Sequence, residues 1–195
     1  MNFRNAFYEC LGRVRSDPRV TVHVSNRGPD ISMGIAYVER TAAHKYAISL
    51  FKPRGITYWS LVRYLLHEYG HVLDEERYYA CARLQLYENF TCPNVQDFPS
   101  IPLIGKRAIL ITEMIAESYV AKLLKKFGMY EKPMERKLKL DCVMQLLTNK
   151  YEMTFGVHLS DATSRSIKKT VRRRLSGIVV DKSFCLDPTF EIPGK

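Results

Sequence analysis

Two histidines and a glutamate in the run His67-Glu68-Tyr69-Gly70-His71 have the types and spacing of a hydrolytic metal centre. On a helix, residues four apart share a face, with Cβ atoms roughly 5–6 Å apart. Two imidazoles so placed can both reach one zinc ion at about 2.0–2.1 Å. Glu68 projects about 100° around the helix from His67. Its carboxylate then stands beside the ion rather than on it, placed to take a proton from zinc-bound water. The setting points the same way. Leu65, Leu66, Val72 and Leu73 flank the motif, so the helix is expected to be largely buried. Buried imidazoles and a buried carboxylate need partners, and a metal ion supplies them all.

Catalytic zinc usually has three protein ligands and a water, so a third ligand is required. The other histidines are His23 in a strand-like run, His44 in a turn and His158 just past Gly156. None extends the motif, and each reads as an ordinary histidine. A glutamate is the better candidate. Residues 111–124, ITEMIAESYVAKLL, read as an amphipathic helix with Glu113 and Glu117 on one face. Met114, Ile115, Ala116, Tyr119 and Val120 leave little polar surface around them. Like charges at this spacing repel, and a cation beside them removes the penalty. Glu113 is the expected ligand. Glu117 is expected to stand behind the ligands and orient a histidine.

An HExxH helix followed by a helix with Glu-x-x-Ala-(Asp/Asn/Glu) resembles the zinc metallopeptidases whose third ligand is glutamate, the gluzincins. Two branches look closest. The anthrax lethal factor-like catalytic domains carry patterns similar to His67-Glu68-Tyr69-Gly70-His71-Val72-Leu73-Asp74 and Glu113-Met114-Ile115-Ala116-Glu117-Ser118-Tyr119. The ImmA/IrrE peptidases have a comparable second helix, ending in a pair like Leu123-Leu124. The resemblance covers roughly residues 35–125. It implies His67, His71 and Glu113 as zinc ligands, Glu68 as general base, and Asp74 and Glu117 as residues that orient the ligands. The resemblance also implies a strand that lines the cleft and pairs with an extended substrate. Residues 46–51, ahead of the metal helix, would be that edge. An oxyanion-stabilising Tyr or His has no clear match; Tyr69, Tyr78, Tyr79 and Tyr119 are all open.

The elements that must position these residues follow from periodicity and punctuation. Residues 2–15 read as a helix with Phe3, Phe7, Cys10, Leu11 and Val14 on one side, ended by Asp17-Pro18. Strands are expected at 20–25, 35–40 and 46–51, with a turn at 27–30. The metal helix starts near Thr57 or Tyr58. A helical piece at 78–90 and a proline-marked loop at 91–102 follow, the loop reading as a plain connector in preference to a lid. The Glu113 helix runs to about Phe127 and stops at Gly128. Another helix is expected at 134–153. Ser160-Asp161 caps a last helix, in which Ile167, Val171 and Leu175 face the protein. Lys168, Lys169, Arg172 and Arg173 then form an exposed basic face, able to meet nucleic-acid phosphates or to remain solvated. The tail from Asp181 reads as irregular.

The 195 residues suit one domain, or a zincin-like core over 1–128 with a helical extension over 129–195. The expected class is α+β, with a small, mostly antiparallel sheet packed on the HExxH helix. The net charge of +10 favours anionic partners. Five scattered cysteines without CxxC spacing suit reduced thiols and a cytoplasmic setting. Asn89-Phe90-Thr91 matches a glycosylation acceptor but no secretion signal accompanies it. No run approaches the ~20 apolar residues of a membrane span. The function expected is zinc-dependent hydrolysis of peptide bonds in a protein substrate, with Glu68 taking a proton from the attacking water and handing it to the leaving amine. The rival class is a nucleic-acid-associated binding or regulatory protein with a structural zinc site. A peptidase acting on DNA-bound proteins would combine both. Glu68 discriminates, because a structural site has no use for a base beside an open coordination position.

Overall fold

A computed structural model of the chain describes residues 2–26, 35–75 and 95–193. It is an α+β structure with a three-stranded sheet. Its residues group into two compact units: Met1–Glu75 with Ala116–Tyr130, and Glu76–Ile115 with Glu131–Lys195. The expected turn at 27–30, the helical piece at 78–90, Tyr78, Tyr79, Cys81, Cys92 and the Asn89-Phe90-Thr91 match lie outside the described residues.

In the first unit, helix α1 (Phe3–Arg15) is opened by Asn2, whose side chain accepts from the Arg4 N–H at 3.0 Å. Ala6, Phe7, Cys10, Leu11 and Val14 are its buried stripe, the i, i+3/i+4 pattern of a helix laid on a core. Three strands follow: β1 (Val20–Ser25), β2 (Ala36–Ala42) and β3 (Lys45–Phe51). A tight turn joins β2 to β3 through His44, at φ 54°, with its ring held by Glu75 at 2.8 Å.

The strand order is β1-β3-β2. β2 runs antiparallel to β3, but β1 runs parallel to it, from Val20 opposite Tyr46 to Ser25 opposite Phe51. The sheet is therefore mixed, not mostly antiparallel. Burial fits the order: Tyr46, Ala47, Ile48 and Leu50 of β3 are all buried, as in a strand enclosed on both faces. One expectation falls here. Residues 46–51 cannot offer an open edge to a substrate, because both sides of β3 are already paired. The outer strands of this sheet are β1 and β2.

Helix α2 (Tyr58–Leu73) carries the HExxH run. Thr57 caps it by accepting from the Ser60 N–H at 3.1 Å, and it packs on α1, β2 and β3. Its apolar run leaves it buried along most of its length. Helix α3 (Leu103–Lys126) carries the glutamate pair. It starts immediately after Pro102, well before residue 111. Gly128, at φ 72°, follows its end.

In the second unit, a 3₁₀ turn (Val95–Ser100) packs against helix α4 (Met134–Phe155). This covers part of the expected 91–102 loop. Gly156 ends α4 at φ 65°, where a side chain would press on Pro99 at 3.1 Å. Helix α5 (Asp161–Arg174) is capped by Ser160, which accepts from the Thr163 N–H at 3.2 Å. Its Ile167 and Val171, with Leu175, join Leu140, Val143, Met144 and Leu147 in a core cluster. A short helix α6 (Lys182–Leu186) interrupts the tail expected to be irregular. Asp181 starts it, accepting from the Ser183 N–H at 2.8 Å, and buried Cys185 anchors it beside Leu110, Leu146 and Met153. Among the described residues no helix is long and apolar enough to cross a membrane.

Candidate metal centre

The centre begins with a close crossing of α2 and α3. A methyl group at Gly70 would lie 3.0 Å from the Ala116 carbonyl oxygen and 3.0 Å from Tyr119 Cβ. Glycine at position 70 therefore lets the two helices meet backbone to backbone. The small residue inside Glu-x-x-Ala-Glu stands opposite the glycine inside His-x-x-Gly-His. The crossing brings the Glu117 carboxylate within reach of the His67 imidazole.

Both histidines are buried, His67 at 4% and His71 at 6% exposure. Their Nε2 atoms lie 3.2 Å apart, with the rings nearly perpendicular. His67 Nδ1 lies 3.0 Å from the Glu117 carboxylate. That contact assigns the ring proton to Nδ1 and leaves the Nε2 lone pair for a ligand. His67, His71 and Glu113 each offer a ligand atom, all within 4.8 Å of one another. This group can hold a metal ion. Glu113 is half-buried on α3, one turn before Glu117, and receives the Gln145 side-chain amide at 3.5 Å.

Glu117 is itself buried, at 5% exposure. The residue that compensates its charge is Arg63, equally buried, one turn before His67 on α2. Its guanidinium forks onto the carboxylate: Nε donates to Oε2 at 3.3 Å and NH2 to Oε1. Burial alone would raise the Glu117 pKa. The Arg63 charge and the His67 hydrogen bond outweigh it and hold the carboxyl below its ordinary range. Sequence reasoning passed over Arg63. The available signal was a lone arginine, four residues before His67, inside an apolar run.

Glu68 is buried at 8% exposure, adjacent to His67 on α2 and outside the three-residue ligand group. Asp74 caps the C-terminus of α2, its N–H donating to the Gly70 carbonyl at 3.0 Å. Tyr69 donates its hydroxyl to Asp17 at 2.9 Å, which commits that oxygen to a structural contact. The Tyr119 ring lies under the Lys122 ammonium at 4.6 Å. His23 is exposed on β1, His44 faces Glu75, and His158 faces Glu152 at 2.9 Å; none belongs to the ligand group. Lys168, Lys169, Arg172 and Arg173 lie on α5 of the second unit, where Arg165 joins them around a shallow groove.

No protein-family model, curated protein or solved structure matches this chain.

Proposed function

We propose that the chain is a zinc-dependent peptidase of the gluzincin type, with His67, His71 and Glu113 as ligands and Glu68 as general base. The observation that carries the reading is the convergence of two buried imidazole Nε2 atoms, 3.2 Å apart, with Glu113 completing the group. Two nitrogens at about 2.0–2.1 Å from one tetrahedral ion stand about 3.3 Å apart, so the pair is spaced for a shared metal. Imidazole suits several transition metals; two histidines with a carboxylate and an open position are a catalytic zinc set. Bound zinc supplies a Lewis acid and a water made acidic near pH 7.

The protein's own residues divide the remaining work. Glu117 holds the proton on His67 Nδ1, so the other nitrogen presents its lone pair inward. Arg63 keeps Glu117 ionised and fixed. Glu68, adjacent to His67 but outside the ligand group, is the group to accept the proton of the attacking water and return it to the leaving amine. Glu68→Gln preserves shape and removes basicity. Zinc content should stay at the wild-type level while cleavage of a peptide library, read by mass spectrometry, falls by roughly 10²–10⁴-fold. Equal cleavage by both proteins would defeat the assignment of Glu68.

A further inference from the structure

The exposed side of α5 carries cations at 165, 168, 169, 172 and 173, the i, i+3, i+4, i+7, i+8 pattern of one helical face. They line a groove of their own, open on the surface. Arg165, Lys169, Arg172 and Arg173 are exposed and Lys168 is half-exposed. Asp161, in the first turn, is the sole acid in the helix sequence. Among the described residues none of the five cations has an acidic partner. These five charges equal half the chain's net +10. Cations near a helix C-terminus complement its dipole, which accounts for Arg172 and Arg173. It does not account for Arg165, Lys168 and Lys169, about one to two turns earlier.

We propose that this face docks on the phosphate backbone of double-stranded nucleic acid. The charge spacing fits. The face spans residues 165–173, eight steps or about 12 Å along the axis at 1.5 Å per residue. One strand of a duplex presents a phosphate about every 3.4 Å, so three or four phosphates lie alongside five cations. Three of the five are arginines, whose forked donors match phosphate oxygens. A membrane surface fits less well. The helix's apolar residues Ile167 and Val171, and Leu175 just beyond, are all turned into the core, leaving no apolar side to enter the headgroup region. An acidic peptide would want an apolar anchor beside the charges, and the groove is lined by cations alone. This proposal stands independently of the metal centre.

The test is fluorescence anisotropy of the full chain with a labelled duplex DNA of arbitrary sequence, with EDTA present. Four neutralised phosphates give a salt exponent near −3.6, so affinity should fall about 150-fold between about 50 and 200 mM salt. The variant Lys169→Gln/Arg172→Gln/Arg173→Gln retains two contacts and should lose only about 10-fold over the same range. If that variant fails to fold, as judged by circular dichroism, Arg165→Gln/Lys168→Gln replaces it and should lose about 40-fold. Three results would overturn the proposal: no binding at the lower salt, an unchanged salt slope in the variant, or tighter binding to phosphatidylserine vesicles or polyglutamate than to the duplex.

Discussion

Arg63→Met removes the guanidinium paired with Glu117 while keeping much of the apolar stem. The two side chains are 9% and 1% exposed, so water cannot replace the lost partner. Breaking a buried pair by deleting one member costs about 3–5 kcal/mol, because the other charge is left uncompensated. The close approach of His67 Nδ1 to the carboxylate at 3.0 Å persists, which places the expected loss near the lower end, about 3 kcal/mol. His67 also loses a firmly held orienting carboxylate, and such losses weaken metal binding about 10–100-fold. Urea unfolding in EDTA measures the first effect, and zinc competition against a chromogenic chelator the second. The double variant Arg63→Met/Glu117→Leu separates them. It replaces the pair with apolar volume, so stability should return to within about 1 kcal/mol of wild type or exceed it, whereas zinc affinity should stay low. A single variant with wild-type stability and wild-type zinc affinity would refute the reasoning from Arg63 through Glu117 to His67.

Two further perturbations probe the same unit. Gly70→Ala gains about 1 kcal/mol of helix propensity but puts a methyl 3.0 Å from the Ala116 carbonyl. Overpacking at about 1–3 kcal/mol should win, lowering the melting temperature and weakening zinc binding as α3 is pushed away; a more stable variant with unchanged zinc affinity would contradict the close crossing. Asp17 is held down to about 2, chiefly by the Arg19 side chain, against a cost of burial and with help from Tyr69. A depressed carboxyl stabilises the fold fully above its unfolded value near 3.8 and loses that contribution as pH falls toward 2. Urea midpoints should therefore drop less between pH 5 and 2 in Asp17→Asn than in wild type, and parallel curves would rule the contribution out.

Helix α2 was legible because its signals are local. An apolar run at helical period sets its burial, and Thr57 caps its start. The glutamate pair was legible for the same reason, spacing within one helix. Partners far apart in sequence were not. Arg63 and Glu117 are separated by 54 residues, and nothing near Arg63 announces a buried carboxylate. Strand order was equally hidden. The run at 46–51 reads as a strand from its own residues, but its central place depends on β1 joining it in parallel. The early start of α3 was obscured by Pro102, which reads as the end of a loop and also permits a helix to begin directly after it. The cap at Asp181 was a local signal for α6, overlooked in a segment punctuated by Pro188 and Pro193.

The zinc content of purified protein, measured by mass spectrometry after dialysis against metal-free buffer, bears most directly on the centre. Three protein ligands should retain about one zinc per chain, and His67→Ala/His71→Ala should retain none. A full equivalent of zinc in the double variant, or no zinc in wild type loaded with excess ion and dialysed, would contradict the assignment of His67, His71 and Glu113.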